Sequence, residues 1–382
     1  MNTAGIICEY NPFHNGHQKQ FRLVRNALGA DAAIICLMSG SFVQRGAPAL
    51  FDRSVRAEAA VRGGADLVLE LPVTYALRSA EGFAAGGVEL LSALGIADVL
   101  SFGCETPDRL WETAQLLESP EFPPLLRRHL DTGLSFAAAR TRALEALGGD
   151  GGMIAQPNNI LGVEYCKAIL RQGSRLKILP LTRGGAYHDP VPEPENPSAS
   201  SLRTIGDFLP YVPPETRMVY EGAPRYRLAC GERAMLARLR ALSEEEFSRV
   251  PYGSEGLWRK VRRACLDGGS VQDILAEAKS KRYPHTRLCR LLLCAYLGIS
   301  AAMLEAPAPY VRVLALGARG GQLLRAARER GRIPLLNAGA RAEDTPYAQL
   351  ERQSTLLYDL FCEETCVQRA RQERVFVLPA QE

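Results

Sequence analysis

The sequence predicts an α/β fold, a doubly wound parallel sheet followed by a mainly α-helical region, and three observations carry that expectation. Short β-branched or apolar runs alternate with helix-period segments through roughly the first hundred residues, the pattern of a parallel sheet covered by helices. Glycine and polar clusters separate these runs, as the connections of such a sheet require. From Gly231 to Gly339 the period becomes mostly helical. The chain has 382 residues, about two and a half times the roughly 150 of a typical domain. Two domains are therefore expected, 1–210 and 211–382, joined somewhere between Pro210 and Arg225.

In chain order, Ala4 to Cys8 is the first expected strand. Gly16 to Leu28 follows as a helix with Phe21, Val24 and Leu28 on one face. Ala32 to Met38 is the second strand, and Asp52 to Arg62, after Pro48, the second helix. Leu67 to Leu71 is the third strand. Ser79 caps a helix that runs to Leu94 and stops at Gly95, and Val99 to Phe102 is the fourth strand. Thr106-Pro107 opens a further helical stretch, and Gly148 to Gly152 is expected to be a flexible connection. Leu161 to Arg171 is helix-like and Leu176 to Leu181 strand-like. Gly184 to Pro197 is a long loop rich in Pro and Gly, and strand signals fade after Ser200. Ligands of such sheets bind beyond the carboxyl ends of the strands, so the site is expected in the loops that follow them.

Hydrophobic residues make up 47% and charged residues 23% of the chain, an ordinary globular composition that argues against a disordered, collagen-like or coiled-coil protein. The longest uncharged apolar stretch, Leu291 to Leu304, falls short of the roughly 20 residues that cross a bilayer. No membrane span is expected. Ala4 to Cys8 is too short an apolar run, with no basic lead-in, for a secretory signal, so a cytoplasmic location is expected. The ten cysteines are scattered and include no C-x-x-C, so they are expected to be reduced and no structural zinc is expected. The formal net charge is only +4, but between Arg259 and Arg290 nine Arg/Lys face three Asp/Glu. Arg319, Arg325, Arg328, Arg330 and Arg332 form a second basic group. A solvated helix face is the commonest fate of such runs; a polyanion is the alternative.

The sharpest motif is Cys8-Glu9-Tyr10-Asn11-Pro12-Phe13-His14-Asn15-Gly16-His17, placed directly after the first strand and opening a helix. Asn11-Pro12 makes a turn. Gly16 removes a side chain where a phosphate would approach the backbone, and a helix N-terminus supplies N–H groups and partial positive charge. His14 and His17 are three apart, so their rings face the same way and can donate to one phosphate group. The bland alternatives are a metal pair or two unrelated turn histidines. H-E-x-x-H is absent, no carboxylate stands at ligand spacing, and no metal site is expected in the protein itself.

His-Asn-Gly-His after the first strand resembles the His-x-Gly-His signature of the nucleotidylyltransferase superfamily, whose core is Rossmann-like. The resemblance extends in order through Ile7 to Gln20, Ser39 to Gly46, Gly64 to Pro72, Ser101 to Glu105, Gln156 to Gly162, Arg183 with Tyr187-His188-Asp189, and Ser198 to Arg203, with departures at Ser41, Ala47 and Arg53. Together these strings resemble the bacterial tRNA(Met) cytidine acetate ligase family over the N-terminal half, and the C-terminal half matches more loosely. The resemblance implies activation of acetate by ATP to acetyl-adenylate and transfer to N4 of the wobble cytidine of elongator tRNA(Met), with Mg2+ accompanying the ATP. It implies His14 and His17 as catalytic donors. It further implies ATP contacts from Ile7, Glu9, Tyr10, Asn11, Pro12, Phe13, His14, Gly16, His17 and Gln20 in the first loop. Later loops would add Gly103, Asn158, Asn159 and Arg183, with Ser200 and Arg203 on the outer phosphates. His188 and Asp189 would order the long loop or approach substrate. Lys279, Lys281, Arg282 and Arg287 are the expected tRNA contacts. Two other functions compete: a nucleotidylyltransferase for a phosphorylated small molecule, and an RNA-binding protein with a dead nucleotide site. The basic C-terminal half argues against the first, and the intact His14, Gly16, His17 and Arg203 against the second.

Overall fold

The computed structural model describes residues 2–182, 195, 197–280, 282–364 and 373–379. Its core is five parallel strands, β1 (Thr3–Cys8), β2 (Ala33–Ser39), β5 (Leu67–Leu71), β6 (Val99–Cys104) and β7 (Lys177–Thr182), in the order β5-β2-β1-β6-β7. The short strands β3 (Phe42–Val43) and β4 (Ala47–Pro48) form a separate antiparallel hairpin in the loop after β2. Chain order reverses on either side of β1, which opens a crevice at the carboxyl ends of β1 and β6.

Alternate residues of each strand serve opposite faces of the sheet. Ile7, Ile35, Leu37, Leu67 and Leu69 pack under the helices Ala80–Ala93 and Pro157–Gln172. Ile6, Ile34, Cys36 and Val68 pack under the helices Asn15–Leu28 and Arg53–Arg62. Both faces are covered, so the strands read as continuous apolar runs rather than alternating ones. The stretch Gly148 to Gly152, expected to be a flexible connection, runs instead into a 3₁₀ turn at Gly151–Ile154 that Asp150 caps. The long loop lies almost entirely outside the described residues.

The expectation that strand signals end near Ser200 is corrected. β8 (Val311–Leu316) lies antiparallel on β5, and β9 (Leu335–Asn337) and β10 (Phe376–Val377) lie parallel on β8, so the C-terminal part extends the N-terminal sheet and makes it mixed. Arg312 hides this strand from a pattern search. The residue is only 8% exposed, its guanidinium held bidentate by Glu351 at 2.6 Å and donating to the carbonyls of Asn337 and Ala340. A buried arginine is tolerated there because a distant carboxylate completes its pairing.

The helices between Leu228 and Asp359 form a third core with residues such as Leu239, Val261, Leu291 and Tyr358, into which Phe42 and Leu77 of the N-terminal half insert. His285–Leu297 is its buried central helix, and it contains the first half of the apolar stretch noted above. No helix among the described residues is long and apolar enough to cross a membrane.

Candidate functional site

Tyr10 takes the chain out of β1 with φ 45°, and the Asn11–Pro12 peptide is cis. Asn11 Oδ1 accepts the Leu50 N–H at 2.7 Å, which holds the turn against the loop after β2. His14 is the cap of the following helix rather than part of its first turn. Its Nδ1 accepts the Gly16 N–H (3.1 Å), while His17 Nδ1 accepts the His14 N–H (3.2 Å). Two histidines thus form a reciprocal capping box, a role usually taken by Ser or Thr with Glu. Their rings stack with centroids 3.7 Å apart. Because each Nδ1 accepts, Nε2 is the donor atom in each neutral ring. The pair supplies two N–H donors without requiring either ring to ionise.

The second loop is fastened to the first. Glu9 Oε1 accepts the Gln44 N–H at 2.8 Å. Arg56 is fully buried and spends its guanidinium on the carbonyls of Glu9 (2.6 Å), Ser39 (3.0 Å), Phe51 (2.9 Å) and Gly40. On the other side of the crevice, Glu105 and Thr106 after β6 meet the start of the Pro157 helix through four bonds. The Glu105 carboxylate accepts from Asn158 Nδ2 (2.7 Å) and the Asn159 N–H (2.8 Å), and Asn159 Oδ1 accepts the N–H groups of Glu105 (2.9 Å) and Thr106 (3.0 Å). Arg203 closes the end of the site: Nη1 donates to Asn11 O (2.9 Å) and Nη2 to Ser200 Oγ (3.1 Å), joining segments 192 residues apart.

These pieces surround a cavity of about 700 Å³. Of the residues the sequence singles out, Ile7, Glu9, Tyr10, Asn11, His14, Gly16, His17 and Gln20 line it from the first loop and helix. Gly103, Asn158 and Arg203 line it from later loops. Pro12, Phe13, Asn159 and Ser200 are not in its lining. Phe13 is wholly buried, its N–H donating to the Tyr220 hydroxyl at 2.9 Å, and Asn159 and Ser200 act on Glu105 and Arg203 instead. Arg183, His188 and Asp189 lie outside the described residues, as does Lys281. Lys279 ends the helix Val271–Ala278 on the surface, and Arg282, 68% exposed, pairs with Glu255. Arg287 is already engaged: it donates to Tyr252 O (3.0 Å) and Ser254 Oγ (2.8 Å) and sits over the Tyr283 ring.

Among the described residues Glu9 is the one carboxylate in the lining, against Lys19, Arg45, Arg203 and Arg290. Burial raises the Cys8 thiol, which also hydrogen-bonds Cys36, and burial raises the Tyr165 hydroxyl, so both lining groups stay protonated at neutral pH. The cavity therefore favours an anion, and neither of these two lining groups is an activated nucleophile. Among the described residues no group of His, Cys, Asp and Glu is placed to hold a metal ion. Sequence reasoning missed Arg56, Glu105, Thr286 and Arg290. Glu105 stood within a quoted string and Arg290 within a counted charge run, but neither position carries a local signal of what it faces.

Three comparisons bear on this geometry. A family model described as HIGH Nucleotidyl Transferase matches residues 1–373. A tRNA(Met) cytidine acetate ligase of Clostridium novyi is 34% identical over 94% of this chain and 95% of its own length, and one from Anoxybacillus flavithermus is 33% identical over 94% of each. The crystal structure of Thermotoga maritima TmcAL in its apo form I superposes with a TM-score of 0.89 at 28% identity, covering 99% of this chain and all of that one. The same protein bound with alpha-thio ATP gives a TM-score of 0.88 at 29% identity over 99% of this chain and all of that one.

Proposed function

This chain belongs to the HIGH nucleotidyl transferases and, among them, to the tRNA(Met) cytidine acetate ligase family, and from that premise we propose that it joins acetate to AMP and then acetylates the wobble cytidine of elongator tRNA(Met). The observation that carries the proposal is the stacked His14–His17 pair lining one electropositive cavity together with Arg203. An acetate oxygen attacks the α-phosphorus of ATP, the bond to the bridging oxygen breaks, and pyrophosphate leaves with the electron pair. Negative charge grows on the α-phosphoryl oxygens and the leaving group, where the two Nε2–H donors and Arg203 are suited to stabilise it. Holding both imidazoles by backbone bonds before substrate arrives means that little reorganisation accompanies the step. Gly103, Asn158 and the apolar wall of Ile7 and Phe102 would receive the nucleoside.

Cytidine N4 is a weak nucleophile because its lone pair is delocalised into the ring. It attacks the acetyl carbon only once that carbon bears a good leaving group; AMP departs with the electrons of the acyl–oxygen bond, and the amine proton passes to solvent or phosphate. An unpaired anticodon base can be turned out to reach such a pocket. Magnesium would arrive with the triphosphate and be held mainly by phosphate oxygens and water. Lys279 and Arg282 would meet tRNA phosphates, and ATP, acetate and tRNA together place the work in the cytoplasm.

The test is acetate-dependent exchange of pyrophosphate into ATP, followed by incubation with elongator tRNA(Met), ATP, magnesium and labelled acetate. Label should appear on the anticodon cytidine. Label absent from RNA, or dependent on acetyl-CoA, would overturn the proposal.

A further inference from the structure

We propose that the cleft has a second phosphate-binding wall, supplied by the helical region: the start of the His285–Leu297 helix with Thr286, together with Arg290 and, from the loop after β2, Arg45. This rests on the cavity being a nucleotide site. Thr286, Arg290 and Arg45 line the same cavity as His14, His17 and Arg203. The 13-residue helix begins after Pro284 with no side-chain cap and no acidic residue in its first turn, so the positive end of its dipole is not offset locally.

Arg290 supplies the second, independent observation. It is 7% exposed, donates from Nη1 to Gln44 O at 3.4 Å and lies over the Tyr252 ring at 5.0 Å. Its Nε is buried without a hydrogen-bond partner, and no carboxylate among the described residues pairs with it. A buried guanidinium with no counter-charge is costly, and an anionic ligand would remove that cost. Arg287, three residues earlier on the same helix, shows the contrast, because its Nε and Nη2 donate to Tyr252 O and Ser254 Oγ.

The wall is held in place by shape. Gly46 has φ 79°, and a Cβ there would come within 2.6 Å of the Arg290 backbone nitrogen. The loop carrying Gln44 and Arg45 therefore packs directly on the helix, and both arginines line the same cavity as Arg203 and the histidines. The chemistry recognised is a phosphate group. Two sources exist: the outer phosphates of ATP, and a backbone phosphate beside the acceptor base of the RNA.

Binding measurements on the full-length protein separate them. Arg45→Ala, whose wild-type side chain is exposed, and Arg290→Gln are compared with the charge-retaining Arg290→Lys and with wild type. ATP affinity is read by titration calorimetry, and affinity for an elongator tRNA(Met) transcript by filter binding across salt concentrations. If the RNA supplies the phosphate, tRNA binding weakens about tenfold in Arg45→Ala and Arg290→Gln, and the salt slope drops by about one per charge removed while Arg290→Lys keeps it. If ATP supplies it, ATP affinity falls by a similar factor and the RNA slope holds. Folded variants that bind both ligands within twofold of wild type, with the same slope, would overturn the proposal. Should Arg290→Gln fail to fold, Arg45→Ala decides alone. Failure of the acetate-ligase function would show separately, as wild-type protein that binds both ligands yet forms no acetyl-adenylate.

Discussion

The cleft at β1 and β6 and the charged cluster around Arg53 both sit near the carboxyl ends of the sheet, yet they use buried charge in opposite ways. In the cluster, Arg53 donates to Glu70 at 2.7 Å and to Glu373 at 2.6 Å, Arg312 and Glu351 pair alongside, and the space left among them is about 20 Å³, room for roughly one water. In the cleft, Arg45, Arg203 and Arg290 surround about 700 Å³ with Glu9 as the only lining carboxylate among the described residues. The cluster is closed on itself and ties the C-terminal elements to the sheet. The cleft keeps its positive groups facing open volume. A charge held between carboxylates of the chain contributes to the fold, and one that lines an open cavity marks where a ligand of opposite sign belongs.

Substitutions should divide along that line. The largest effect is expected from Arg53→Met, which strands Glu70 and Glu373 without their cation: stability to denaturant should fall by about 3–5 kcal/mol. A loss under 1 kcal/mol would mean that the cluster is weakly coupled to folding. Next comes His17→Ala, for which acetate-dependent pyrophosphate exchange should drop by about 10² to 10³, with only about 1 kcal/mol of stability lost from the capping box. Near-normal exchange would erase the functional difference between the two regions.

The pH dependence of stability sharpens the comparison further. Burial pushes the Glu70 carboxyl up to about 7, against the opposing pull of Arg53. A raised carboxyl pKa means that the folded state holds a proton which the unfolded chain has released. The stability this confers is complete below the ordinary carboxylate range and is lost as pH climbs through about 7. Denaturant titrations from pH 5 to 8 should show wild type losing up to about 3 kcal/mol that Glu70→Gln does not lose. Parallel curves would remove Glu70 from the account. The smallest effect is expected at Glu105, a positioning residue that acts through Asn158 and the Pro157 helix. Glu105→Ala should raise the KM for ATP about tenfold with a smaller change in kcat, and Glu105→Gln, which keeps the acceptor oxygen, should recover part of the loss. A change confined to kcat would argue against positioning.

Local chemistry alone made much of this molecule legible. β1, β2, β5, β6 and β7 appear within a residue or two of their expected places, because strands covered on both faces must be apolar throughout. The histidine pair was readable because an i, i+3 relation is a property of one helix turn, and the resemblance of the flanking strings indicated the family. What the tertiary structure decided were the long-range partnerships. β8 was invisible until Glu351 neutralised Arg312, and Arg203 acquires its place only by reaching Asn11, 192 residues away. Arg287 and Arg290 look alike in sequence, but one donates from Nε and Nη2 to Tyr252 and Ser254 while the other lines the cleft. The physical reason is the same in each case. Apolar periodicity and helix capping act over a few residues and leave a local trace, whereas the meaning of a buried charge depends on which distant group, or which ligand, completes it.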